Sequence, residues 1–389
     1  MLVSRAMTKN PRFDAMVKAP WEDAPRLVYA DWLTENDDPR GELIVLQCRL
    51  ASGKLGPKDV KAAKAREAEL LDAHREEWFG PLEKWLRERD SYALSHVKLR
   101  RGFVSSCRLT VQQPDDLATL FQKAPLLEEL ELRGEAVAPV PQLAQLERLD
   151  AEGDVAELVL PALATASSLV RLQLSMRPKG ALSLDLSRCP KLESLWFDSE
   201  RVTEVKLPPT LRAVRWSGDS AALVKARSLD LTTLGVSGAA VSEALLAVLK
   251  RCAPTLEVLA LDGAKFGKGQ LATVLGLSWP RLKSLDLSNV GLGLDGAKLA
   301  AGMKAPQLEL LDLTYTRITD AGAVAVLSSP LLETLKEVSL RANKLTREAI
   351  APVLKRSHSL RLLNLKKNAL SAAELEALEK KLPETRLSR

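Results

Sequence analysis

A leucine pattern, L-x-x-L-x-L, recurs at near-constant spacing through the C-terminal half of the chain and restricts its fold more than any other feature. The clearest copies are Leu256-Leu259-Leu261, Leu282-Leu285-Leu287, Leu308-Leu311-Leu313, Leu335-Val338-Leu340 and Leu360-Leu363-Leu365. Their first positions lie 26, 26, 27 and 25 residues apart. The last two apolar residues of each copy alternate with polar ones, so they face one side of a short strand; the first enters from the preceding turn. One such unit cannot bury its apolar face alone and must stack on neighbours, so the pattern specifies a repeat architecture. About 75 of the 389 residues are Leu and only 4% are aromatic. The 21 Pro and 20 Gly argue against long coiled coils. Mean hydropathy is −0.06, and no apolar run approaches the roughly 18 residues of a membrane helix.

Upstream the pattern continues less evenly, as Leu127-Leu130-Leu132, Leu146-Leu149-Ala151, Leu169-Leu172-Leu174 and Leu192-Leu195-Phe197. Val202-Val205-Leu207, Leu211-Val214-Trp216 and Leu231-Leu234-Val236 follow. The steps of 10 and 9 on either side of Val202 are too short to hold a helix between strands. Either each triplet is a strand joined by a very short turn, or one is a segment on the convex side. Helix-like pieces, residues 320–327 and 348–354, separate the later strands. Asn343 and Asn368 stand three residues after the last apolar position, where a buried Asn can bond free backbone groups of the turn. The stretch 263–269 (GAKFGKG) lacks the GK[ST] ending of a phosphate loop and reads as a turn.

Residues 1–90 read as helical. Asn10-Pro11 forms an N-cap and first helical residue, and Asp23 caps a second helix that stops at Asp37-Asp38-Pro39. A third helix carries Leu43, Ile44, Leu46, Gln47 and Leu50. A long charged helix then runs from Pro57 to about Phe79, and a last short one holds Leu82, Trp85 and Leu86. Four of the seven Trp (21, 32, 78, 85) lie here and imply a compact core of their own. Residues 91–125 read as a β-hairpin: Val97 and Leu99 alternate, Arg101-Gly102 turns, and Val104, Cys107, Leu109 and Val111 return. Residues 126–389 carry the repeats.

On these residues the chain resembles the leucine-rich-repeat family, and the longer repeats are similar to its ribonuclease-inhibitor-like branch. The resemblance implies an α/β solenoid: a horseshoe with a parallel concave sheet and outer helices, preceded by a small helical domain and a β-hairpin cap. The run Pro25-Arg26-Leu27-Val28-Tyr29-Ala30-Asp31-Trp32-Leu33, then Asp38-Pro39-Arg40-Gly41-Glu42-Leu43-Ile44 and Gln47, resembles a repeat-companion domain of myxobacterial and planctomycete proteins. Arg101-Gly102-Phe103-Val104 is similar to a stretch that often follows it. That resemblance implies a bacterial source and assigns no activity.

Little in the chain carries catalysis. His74, His96 and His358 are isolated, and Cys48, Cys107, Cys189 and Cys252 lie far apart with no CxxC pair. The expectation is reduced, structural thiols in a cytoplasmic protein without cofactor or metal, and no enzyme. Arg26, Asp31, Arg40 and Glu42 form a charged set that is expected to pair with itself and cap helix ends, the alternative being a small polar site on the helical domain. The open face of the sheet is the better candidate. There Trp196 is a large aromatic among polar residues, with Asp198 and Arg215 near it in sequence. Asp262, Asp286 and Asp312, with Tyr315, form an acidic stretch; Arg341 and Lys366 begin a basic one. From Arg341 to Lys367 eight basic residues face one Glu, which nearly equals the net charge of +6. No aromatic residue interleaves with them, which argues against nucleic acid. The expected function is a scaffold for an unidentified protein partner, with no membrane and no small-molecule substrate. The alternatives are regulation of an enzyme such as a small GTPase, or polyanion binding through the basic end.

Overall fold

The computed structural model describes residues 10–135, 143–178, 180–199, 201–217, 230–355 and 359–388. The chain forms two compact units, Met1–Met176 with Arg188–Lys191, and Arg177–Ser187 with Leu192–Arg389.

The first unit opens with helices α1 (Pro11–Lys18), α2 (Asp23–Glu35), α3 (Arg40–Ala51) and α4 (Pro57–Arg87). The Asn10 side chain accepts from the Arg12 N–H at 2.9 Å, and Pro11 opens α1, as the sequence predicts. Asp23 is not the cap of α2. It is the first helical residue, Glu22 holds the cap position without a side-chain bond, and Asp23 lies 2.7 Å from the Arg101 guanidinium. The expected break before Leu82 is also absent, since α4 runs through Pro81. Proline removes a helical N–H, but the weakened turn is held from outside. Arg75 and Glu83 pair across it at 2.6 Å, and Phe79, Leu82 and Leu86 are buried.

Phe13, Met16, Tyr29, Leu33 and Ile44 form the core of these helices, joined by Phe103 from the following strand. The four Trp do not build it; each is only half-buried. Trp32 stacks on Tyr29 at 5.8 Å, while Trp78 and Trp85 carry the guanidiniums of Arg40 at 5.3 Å and Arg89 at 4.0 Å. A ring with one wet edge suits that contact. The charged set also departs from expectation, because Arg26 and Glu42 find partners outside it. Glu42 holds Arg66 through two bonds of 2.8 Å. Arg26 is buried, donates to the Pro20 carbonyl, and lies 3.5 Å from Glu128.

Strands β1 (Lys98–Arg100) and β2 (Phe103–Val111) form the expected hairpin, without Val97. Arg101 and Gly102 both take positive φ, 52° and 80°, as a tight hairpin turn requires. A Cβ on Gly102 would also collide with Ile44, so only Gly fits. An unforeseen helix, α5 (Asp116–Lys123), follows β2. Asp116 fixes its start by accepting from the N–H groups of Gln112 and Gln113 and from Arg89. β2 then pairs in parallel with β3 (Glu129–Gly134) and β3 with β4 (Arg148–Glu152); after α6 (Val155–Ala162), β4 pairs with β5 (Arg171–Ser175). Cys107, Leu130, Leu149 and Leu172 stand opposite one another along this ladder. All four Cys are buried, and none is in a disulfide. Burial pushes Cys107 up to about 12 and Cys48 to about 11, which suits small apolar fillers.

The second unit repeats one motif. Its main sheet runs β7 (Ser194–Asp198), β9 (Ala213–Ser217), β10 (Thr233–Ser237), β11 (Val258–Ala260), β12 (Ser284–Asp286), β13 (Leu310–Asp312), β14 (Glu337–Ser339), β15 (Leu362–Asn364) and β16 (Arg386–Ser388). Every pair is parallel, and the middle apolar residues match directly: Leu195, Val214, Leu234, Leu259, Leu285, Leu311, Val338, Leu363 and Leu387. Helices α7 (Glu243–Cys252), α8 (Gln270–Leu275), α9 (Gly293–Ala301), α10 (Asp320–Leu327) and α11 (Ala372–Lys381) lie between later strands. Residues 348–354 do not form the expected helix. A 3-10 turn, Arg347–Ile350, takes their place, and Pro352 prevents its extension. The crowded triplet is settled as a convex-side segment. β6 (Leu182–Asp185) and β8 (Val202–Lys206) form a separate two-stranded sheet, so β7 pairs directly with β9.

Each triplet from Leu256 to Leu365 buries its apolar residues; Leu256, Leu259 and Leu261 are 0–1% exposed. Each contributes roughly 1.5–3 kcal/mol over an exposed side chain. Two residues after each triplet the chain turns through left-handed φ, at Gly238, Gly263, Asn289, Tyr315, Ala342 and Lys367, between 56° and 66°. Where the turn lies deeper, Asn holds it. Asn343 Nδ2 donates to the carbonyls of Leu313 (2.7 Å) and Leu340 (3.1 Å), and its Oδ1 accepts from Thr316 N–H (3.0 Å). Asn368 Oδ1 accepts from the N–H groups of Asn343 (2.9 Å) and Leu345 (3.1 Å).

Two stability outcomes follow from buried polar groups. Asn343→Ala leaves several backbone groups without partners and costs about 1–3 kcal/mol in urea unfolding. Glu128→Gln leaves the buried Arg26 charge without its carboxylate and costs about 3–5 kcal/mol by the same measurement. A loss well under 1 kcal/mol in either case would show that other groups, or water, take over these bonds.

Candidate functional site

The open face of the second unit follows from the strand register. With the triplet residues inward, the position between the last two points outward. From β7 to β13 this column reads Trp196, Arg215, Gly235, Ala260, Asp286 and Asp312. Trp196 is 45% exposed, whereas its neighbours Phe197 and Trp216 are stacked inside at 4.7 Å. The Arg215 guanidinium lies 6.0 Å from the Trp196 ring.

Trp196, Arg215, Asp262 and Asp286 line one open cavity of about 400 Å³. Its floor includes Gly235 and Ala260, which the sequence did not single out. They belong to the same outward column, but assigning Gly235 to it depends on resolving the register between 192 and 236. Asp312 lies one strand further on, directly opposite Asp286. Asp198, Tyr315, Arg341 and Lys366 lie outside the lining. Tyr315 is 48% exposed in its left-handed turn. Arg341 and Lys366 lie two residues beyond β14 and β15, in neighbouring turns where the Ala342 N–H donates to the Lys366 carbonyl at 2.9 Å. Arg356 and His358 lie outside the described residues.

The three aspartates differ. Asp262 accepts from Ser237 Oγ (3.2 Å), Ser288 Oγ (3.0 Å) and Asn289 Nδ2 (2.7 Å), so its oxygens tie neighbouring turns together. Asp286 and Asp312 each use Oδ1 to accept from the N–H two residues on, Ser288 and Thr314, both at 2.8 Å. Burial raises the pKa of Asp286, the carboxylates of Asp312 and Asp262 raise it further, and the Ser288 bonds oppose them. Among the described residues no group of three or more His, Cys, Asp or Glu could hold a metal ion. No helix among them is long and apolar enough to cross a membrane.

Like carboxylates facing each other on adjacent strands repel by a few tenths to about 1 kcal/mol. Asp286→Asn keeps the acceptor for Ser288 and removes the charge, so it raises the melting temperature at neutral pH. A carboxyl whose folded pKa is raised binds its proton more tightly when folded, so protonation stabilises the fold. The advantage of Asn over Asp therefore shrinks as pH falls and Asp286 itself becomes protonated. Thermal melts of both proteins across pH check the sign.

The comparisons bear on the fold. A sequence profile described as Leucine Rich repeat matches residues 305–327, which span β13 and α10. No curated protein matches the chain. Among solved structures, the chain is similar to one in the complex of Rad7 and Elc1 from yeast: 16% identity, 92% of this chain and 89% of that one, TM-score 0.43. It is also similar to the APL1 leucine-rich repeat domain, at 20% identity over 72% of this chain and 64% of that one, TM-score 0.32. An internalin (InlF) from Listeria monocytogenes is 14% identical over 75% of this chain and 91% of that one, TM-score 0.36. The matched profile, the inward leucine ladder and the one-register parallel sheet agree: the second unit is an α/β solenoid of leucine-rich repeats.

Proposed function

We propose that this protein is a non-enzymatic scaffold that docks a protein partner on the open sheet face of its second unit, with Trp196 as the anchor. The observation that carries it is the exposure of Trp196 at the edge of an open cavity, in a unit whose other tryptophans, Trp216 and Trp279, are buried. A Trp on a rigid strand offers a large contact area and loses little freedom on binding. Arg215 and Asp286 fix the register of the partner, while Asp198, Asp262, Asp312, Tyr315, Arg341 and Lys366 surround the contact. The N-terminal helices and hairpin cap the first repeat, a role that solenoid ends require. The resemblance of residues 25–47 to the repeat-companion domain favours a bacterial, cytoplasmic setting.

The test is affinity capture with wild type and with Trp196→Ala plus Asp286→Ala, followed by mass spectrometry. Partner recovery falls at least about tenfold in the variant, given the usual cost of truncating an aromatic anchor. Unchanged recovery with an intact circular-dichroism melt would remove the open face from the account.

A further inference from the structure

The outward column contains a row of charges that cannot satisfy one another. Arg215, Gly235, Ala260 and Asp286 stand directly opposite one another on β9, β10, β11 and β12. A cation and an anion therefore face each other across two positions that carry no side chain beyond Cβ. Three interstrand steps separate them by roughly 14 Å, far beyond any ion pair. Among the described residues neither is in a salt bridge. The stem of Arg215 lies over Gly235, where a Cβ would come within 3.1 Å of Arg215 Cγ. The row floors the cavity beside Trp196.

We propose that this row receives an extended polypeptide segment of the partner, laid across the strands, with an acidic side chain on Arg215 and a basic one on Asp286. The proposal rests on the docking function above and specifies its ligand. An extended chain advances about 3.4 Å per residue, so four residues cover the roughly 14 Å gap. Residues at i and i+4 of an extended chain also point to the same side. The residue between them, at i+2, points to the same side and meets the bare floor of Gly235 and Ala260. The recognised pattern is acid-x-x-x-base, in either chain direction. A free amino acid is too short to reach both charges. The phosphates of a nucleic acid would meet Asp262, Asp286 and Asp312.

The test uses the full chain and dye-labelled nine-residue peptides of Thr and Val, each with one Glu and one Lys, read by fluorescence anisotropy. The charge spacing is two, three or four residues, and a Gln/Gln peptide is the control. Spacing four binds at least about tenfold more tightly than the rest, and added salt weakens it. Arg215→Gln weakens the Glu/Lys peptide about tenfold and leaves a Gln/Lys peptide unchanged; Asp286→Asn does the same for Lys against a Glu/Gln peptide. Equal affinity at every spacing, missing charge coupling, or no binding by any peptide would each overturn the proposal. Loss of the captured partner on Trp196→Ala alone, with full retention by Arg215→Gln and Asp286→Asn, would keep the docking function and discard the charged row.

Discussion

The second unit depends on one constraint: the middle apolar residue of each strand stands directly opposite that of the next. Side chains alternate along a strand, so this match fixes everything else about the sheet. A slip of one residue would place Leu259 or Leu285 in water and Asp286 in the core. Because the wedge of three apolar residues is buried at every turn, such a slip would lose several kcal/mol per repeat. The outward column is therefore as firmly set as the core, although little holds its members to each other. A surface built this way can vary in chemistry while its geometry stays constant.

The same register explains why unfavourable turn residues persist. The backbone reaches left-handed φ at the same place in repeat after repeat, yet the residues there are Gly, Gly, Asn, Tyr, Ala and Lys. Residues other than Gly and Asn lose roughly 1–2 kcal/mol in that conformation. The neighbouring turns impose it: Asn289 donates its N–H to Thr314, and Tyr315 to Arg341. Tyr315 and Lys367 thus occupy strained positions because the stacking, rather than their own preference, decides the backbone.

How far the sequence could be read depended on how many of these constraints act locally. From Leu256 to Leu365 all three apolar positions are filled, and every strand lies where the pattern places it. Around Val202 the triplets follow one another too closely for a helix between them, and an extended segment outside the main sheet mimics a strand triplet. Periodicity alone cannot say on which side such a segment lies; pairing with β6 decides it. β16 was hidden because only Leu387 of its triplet is apolar, with Glu384 at the first position. In the helical part, Pro81 reads as a break because the Arg75–Glu83 pair and the burial of Phe79 are not visible in a linear pattern. On the candidate surface, Trp196 and the aspartates were legible by residue type. Ala260 could be placed in the open column by its position between Leu259 and Leu261, but Gly235 could not, since a bare position has meaning only beside its neighbours.

That difference bears on how charge is used in the two units. In the first unit the open-face charges meet: Arg108 holds Glu131 at 2.8 Å, and Arg133 lies 3.2 Å from Asp150 and 3.1 Å from Glu152. Such pairs already satisfy one another, and a partner must break them before it gains any contact, so they favour solubility over binding. In the second unit Gly235 and Ala260 separate Arg215 from Asp286, and the Asp286–Asp312 neighbours repel. Electrostatic free energy left unsatisfied within the molecule is available to a ligand that supplies the missing partners. The net charge of +6 conceals this arrangement, since it reflects the basic residues from Arg341 onward. The register keeps these charges apart, and the two smallest residues in the column, Gly235 and Ala260, enforce that separation.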